Sequence, residues 1–155
     1  MMGYVEFTSA TLYRYATVSL GRLADNLGDD LSAVAVGVRA FLEGFVRSLP
    51  TGHQNTFAAM TVPELVFVSL RVDQPVSLVG AFETPVEGSA GYVEESARRL
   101  GSYASRVDEL YGTSRAGGWA TYLPAVGDLS ESLGAAVALP TLLDEVQAAV
   151  AGQLG

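Results

Sequence analysis

Hydrophobic positions divide the chain into segments of two periods. From Leu12 to Leu20 the pattern alternates: Leu12, Arg14, Ala16, Val18 and Leu20 point one way, and Tyr13, Tyr15, Thr17 and Ser19 the other. A period of two predicts β-structure over residues 4–20, with one mostly apolar face. Arg14 is the misfit on that face. Its bland reading is an arginine near a sheet end, with its stem on the core and its head in water; a ligand role is the minority reading. The Tyr13 and Tyr15 face resembles an open sheet face on which bases stack, although tyrosines are also simply good strand formers.

Residues 21–28 read as a short helical turn or loop. Asp29 and Asp30 then supply a cap and favourable charge for a helix start. A helix is predicted over about 30–49, because Leu31, Val34, Ala35, Val38, Phe41, Leu42, Phe45 and Leu49 follow the 3.6-residue period. Gly37 and Gly44 within it suggest close packing against a sheet. Pro50 ends the run. Residues 65–72 alternate strictly and form the clearest strand, with Val66, Val68, Leu70 and Val72 on one face and Leu65, Phe67, Ser69 and Arg71 on the other. Residues 76–82 read as a further extended segment, a partner strand or an edge, and 83–91 as a polar loop.

A second amphipathic helix is predicted over 92–111, with Glu94 and Glu95 placed to support Arg98 and Arg99 one turn on. The Gly-rich stretch 113–127, with Trp119 and Tyr122, is open between a loop and a short strand. Residues 128–139 suggest a short helix. A last helix starts at Pro140-Thr141, with Asp144 placed for a capping box. The predicted order is β–α–β–(β)–α–α, in a single domain over 1–155.

Composition narrows the chemistry. Apolar residues are 49% of the 155, enough for a real core. No apolar run is long enough for a bilayer span, and no basic, apolar-cored leader opens the chain. Both point to a cytoplasmic location. There is no cysteine and one histidine, which excludes disulfides and Cys- or His-rich metal sites. Seventeen acids against nine bases give −8, and every base is arginine. Such an acidic balance argues against nucleic acid, whose phosphates reward positive charge.

Without lysine there is no Walker motif; there is no G-x-S-x-G elbow, and a Ser-His-Asp assembly would rest on His53 alone. The paired carboxylates sit in capping or solvent-facing contexts. No cofactor is implied.

What remains is the loop Pro50-Thr-Gly-His-Gln-Asn-Thr-Phe-Ala-Ala-Met60. Gln54, Asn55 and Thr56 are suited to phosphate, sugar or base edges. Phe57 is a stacking or anchoring aromatic. His53 is a cation, a base or a bystander, and an isolated histidine in a polar loop is usually a surface residue.

Three segments in consistent order carry a resemblance. Leu12-Tyr-Arg-Tyr-Ala16 with Leu20-x-x-Leu23 and Asn26-Leu-Gly28, then 50–59 with Val62-Pro-Glu-Leu-Val-Phe-Val68, then Val76-Ser-Leu-x-x-Ala-Phe-Glu83, resemble the CasC family. That family is the backbone subunit of the type I-E CRISPR Cascade complex in antiviral defence. The resemblance covers most of the chain and weakens beyond about Gly112. It implies an α+β fold: part of an RNA-recognition-motif or ferredoxin-like palm, an antiparallel sheet packed with amphipathic helices. The chain looks like the C-terminal portion of such a subunit, without the first palm strands, most of the fingers and the thumb.

The implied role is non-catalytic: holding CRISPR RNA (crRNA) for target-DNA pairing, in a stacked filament of copies joined by other Cascade subunits, away from membranes. The implied RNA-binding residues are His53, Gln54, Asn55, Thr56 and Phe57, with Arg14. Family members often carry lysine at the position of His53 and around 84–89, where this chain has Glu83 and Glu87, so anion contacts are weaker here. Two competing readings remain: an endoribonuclease of the wider repeat-associated superfamily using His53, and a degenerate fragment serving only as a protein-interaction module.

Overall fold

The fold is described from a computed structural model over residues 11–48, 61–87, 91–112 and 115–154. Its centre is a two-stranded antiparallel sheet of β1 (Leu65–Arg71) and β2 (Arg115–Tyr122). Around it lie α1 (Leu20–Asn26), α2 (Leu31–Arg47), α3 (Val93–Tyr111), the single turn α4 (Ser130–Leu133) and α5 (Leu139–Leu154). The chain is therefore α+β, an antiparallel sheet packed with amphipathic helices.

Each face of the sheet carries its own core. Val68 pairs with Trp119, and these two, with Leu70, pack on α2 and α5 through Val34, Ala35, Val38, Leu142, Leu143, Val146 and Val150. Phe67 pairs with Ala120, and that face, with Leu65 and Tyr122, packs on Ala97 and Ala104 of α3 and on Val126, Leu129 and Leu133. Burying both faces explains why β1 is apolar on both sides of its alternation.

Local signals set the helix ends. Ser19 and Asp30 accept hydrogen bonds from the Arg22 and Ala33 amides, capping α1 and α2. Gly112, with φ 59°, closes α3 in the left-handed conformation that glycine adopts without strain.

Several expectations are corrected. Among the described residues, 11–19 join no ladder: alternation creates a preference for a strand, but a strand exists only where another chain segment offers its amides and carbonyls. Leu12 is 77% exposed, and of the presumed apolar face only Val18 and Leu20 pack against the core. The segment 76–82 is also no strand; its second half is a 3-10 turn, Val79–Phe82. There Gly80 admits the Tyr103 ring, whose Cζ would lie 2.8 Å from a Cβ. The open stretch 113–127 is largely β2, and the helix expected over 128–139 shrinks to α4.

At α5 no capping box forms, because the helix already begins at Leu139. Asp144 instead accepts from Arg39 Nη2 across to α2 at 3.1 Å. Among the described residues the glycines of α2 are not packing devices: a Cβ at Gly44 would meet none of them within 4 Å, and one at Gly37 only Leu23 Cδ2 at 3.9 Å.

Candidate nucleic-acid interface

The loop residues His53, Gln54, Asn55, Thr56 and Phe57 lie outside the described residues. The sixth candidate, Arg14, is placed at the helix end from which that loop departs. Its guanidinium carbon lies 4.4 Å from the Phe45 ring centroid, and Nη1 donates to the Ser48 carbonyl at 3.0 Å. The last carbonyls of a helix lack intrahelical donors and carry partial negative charge, so an arginine belongs there on electrostatic grounds. Phe41, one turn before Phe45, stacks on it with centroids 5.9 Å apart and planes 19° from parallel.

Arg14 is therefore not a residue with its stem on a sheet core. It joins the 11–19 segment to the end of α2 while its side chain remains exposed. Nor do Tyr13 and Tyr15 line an open sheet face. Tyr13 packs on Phe82 with centroids 5.3 Å apart, and burial raises its pKa above the ordinary phenol value. The Tyr15 hydroxyl accepts from Thr17 Oγ1 at 2.6 Å.

Most of the positive charge is neutralised internally. Arg39, Arg47, Arg71, Arg98, Arg99 and Arg115 form ion pairs with acidic side chains. Glu95 serves both Arg98 and Arg99, in place of the expected two separate pairs. Arg99 also donates to the Thr84 and Pro85 carbonyls, tying down the loop before α3. Among the described residues Arg14 has no carboxylate partner and is held instead by the Phe45 ring and the Ser48 carbonyl.

One cluster escaped the sequence reading. Arg71 Nη2 and Arg115 Nε converge on Asp108 of α3, at 2.9 and 2.6 Å from its two oxygens. Arg115 also lies over the Phe67 ring at 5.4 Å and donates to the Ser132 carbonyl. With side chains 10%, 21% and 19% exposed, Arg71, Arg115 and Asp108 form a nearly dry brace between sheet and helix. The available signal was Arg71 itself, the one charge in β1, on the face it shares with Phe67 and Ser69.

Among the described residues no group of acidic or histidine side chains is arranged to hold a metal ion, and no helix is long and apolar enough to cross a membrane.

The model of the family described as CT1975-like protein matches residues 1–145. Among solved structures, one titled CRISPR RNA-guided surveillance complex is similar at 36% identity and a TM-score of 0.77, over 85% of this chain and 50% of that one. Another, titled CRISPR RNA-guided surveillance complex, pre-nicking, is similar at 35% identity and a TM-score of 0.76, over 86% of this chain and 36% of that one. The chain thus spans half, or little more than a third, of the chains it matches. A comparison with curated proteins finds no match.

Proposed function

The chain belongs to the CT1975-like protein family, and on that premise we propose that it is a non-catalytic, crRNA-binding backbone component of a CRISPR surveillance complex. The finer reading is the CasC-type subunit of the type I-E Cascade complex, in which stacked copies and other Cascade subunits present the crRNA to target DNA. The observation that carries the proposal is the likeness to a chain of a CRISPR RNA-guided surveillance complex, at 36% identity over 85% of this chain. An identity of that size over nearly the whole chain supports shared function as well as shared fold.

The physical argument is local. RNA backbone binding draws on side-chain donors and a few fixed cations. Gln54, Asn55 and Thr56 supply donors, Phe57 an aromatic, and His53 a weaker stand-in for a lysine. Arg14 adds a guanidinium at the foot of the same loop. The internal ion pairs take up six of the nine arginines and so do not offset the net −8; the role draws instead on positive charge local to the site, where Arg14 has no carboxylate partner among the described residues.

The test is reconstitution of the chain with crRNA and the remaining Cascade subunits, comparing wild type with the triple variant Gln54→Ala, Asn55→Ala, Thr56→Ala. Wild type is expected to retain crRNA in a salt-dependent manner, and the triple variant to lose affinity without changing which sequences bind. Unchanged affinity and assembly in the triple variant removes the loop from the interface. Metal-independent RNA cleavage that is lost in His53→Ala replaces the proposal with the nuclease reading.

A further inference from the structure

We propose that Phe41, Phe45 and Arg14 form a stacking ledge for one unpaired base of single-stranded RNA, at the end of α2. The inference deepens the reading above and rests on it.

The core does not require both rings. α2 is buried through Val34, Ala35, Val38 and Val46, whereas Phe41 is 42% exposed. Among the described residues the space nearby is open, because a Cβ at Gly44 would touch none of them within 4 Å and Ala40 and Val36 are exposed. A large aromatic is thus held against a second, nearly parallel ring on a helix face where the neighbouring residues are small.

The guanidinium decides what kind of ligand suits this surface. Arg14 lies over Phe45, is anchored to the Ser48 carbonyl through one nitrogen, and has no carboxylate partner among the described residues. An apolar side chain from a protein partner would cover the rings and leave the remaining guanidinium donors unsatisfied. A nucleotide serves both: its base lies on the Phe41 ring, and its phosphate meets Arg14. Every base has a π-face, so the ledge is indifferent to sequence.

The experiment uses the 155-residue chain and a short single-stranded RNA carrying 2-aminopurine, whose fluorescence is quenched when the base stacks. At low salt, wild type is expected to bind and quench. Phe41→Leu keeps apolar bulk on an exposed helix face and is expected to weaken binding ~10-fold and lose the quenching. Phe41→Tyr should keep both. Arg14→Gln should weaken binding and flatten its dependence on salt.

If wild type binds RNA and Phe41→Leu binds and quenches equally, the ledge is wrong while the RNA-binding reading stands. If wild type binds no RNA, both fall. If Phe41→Leu leaves RNA binding intact and instead changes self-association by sedimentation, the rings are a protein contact and the ledge is overturned.

Discussion

Arg115 Nε lies 2.6 Å from Asp108 Oδ2, and the contact depends on an irregularity of the sheet. Regular pairing from Leu65 opposite Tyr122 to Leu70 opposite Gly117 would set Arg71 against Ala116, with Arg115 on the face that Gly117 and Trp119 share. Instead the register shifts between Leu70 and Arg71, so Arg71 faces Arg115. A bulge of this kind bends the strand and re-aims a side chain. Here it brings the second guanidinium over Phe67, where both cations meet the single Asp108 carboxylate.

Removing that carboxylate is expected to be costly. Asp108→Ala leaves the largely buried Arg115 without its carboxylate and Arg71 with only the longer contact to Asp73 at 3.3 Å; breaking a buried pair costs about 3–5 kcal/mol. Some water reaches these groups, so a loss of about 2–4 kcal/mol is expected, read from the urea midpoint at constant slope. A loss below ~0.5 kcal/mol, typical of exposed pairs, would show that solvent already screens the brace.

Glu95 should titrate far below an ordinary carboxylate. Hydrogen bonds from Arg98 and then Arg99 lower its pKa to about 2. Because the folded value is depressed, the associated stability is present above the unfolded value of about 4.3 and is lost as pH falls from there through about 2. Glu95→Gln should flatten the acid limb of the stability profile in that window. A side-chain carboxyl NMR titration with its midpoint near 4.3 would reject the assignment.

Two glycine-to-alanine changes in helices should have opposite signs. At Gly101 of α3 an added Cβ would overlap Ser132 Oγ, and Ser132 Cβ would lie at 3.1 Å, so overpacking should destabilise by about 1–3 kcal/mol. At Gly44 of α2 the new methyl meets none of the described residues within 4 Å, and the gain in helix propensity should stabilise by about 0.5–1 kcal/mol. Thermal unfolding followed by circular dichroism separates them; a shift of the same sign in both would contradict the packing described.

Asp30 should be the dominant cap of α2. Its Oδ1 accepts from the Ala33 amide at 2.9 Å, and Asp30→Ala should cost about 1 kcal/mol, whereas Asp30→Ser should retain most of the stability. Equal melting temperatures for both variants would mean that another group serves this helix end.

The elements legible from the sequence were those whose pattern reports on one segment alone. The periodicity of Val34, Ala35, Val38 and Phe45 marked α2, that of Ala97, Leu100 and Ala104 marked α3, and the alternation from Leu65 marked β1. The 12–20 segment has a comparable alternation and forms no ladder among the described residues. β2 was obscured because Gly117 and Gly118 weaken any strand signal; Trp119 covers the first, since a Cβ at Gly117 would lie 2.8 Å from its Cζ2. Of the candidate site, the 50–60 loop was one of the three segments that carried the family resemblance, and Arg14 was read onto a sheet it does not occupy.

By itself, then, the sequence determined where α2 and α3 lie, most of the faces they turn inward, and to which family the chain is similar. These depend on neighbouring residues: a cap reaches three positions on, and an apolar stripe repeats every turn. Only the tertiary structure decided which alternating run gains a hydrogen-bonded partner, which arginines are neutralised, and which one stays available at the end of α2. Those outcomes are set by pairs far apart in the chain, such as Arg39 with Asp144 and Arg71 with Asp108. Ladders and ion pairs are energies of two segments together, and no pattern within either segment specifies the other.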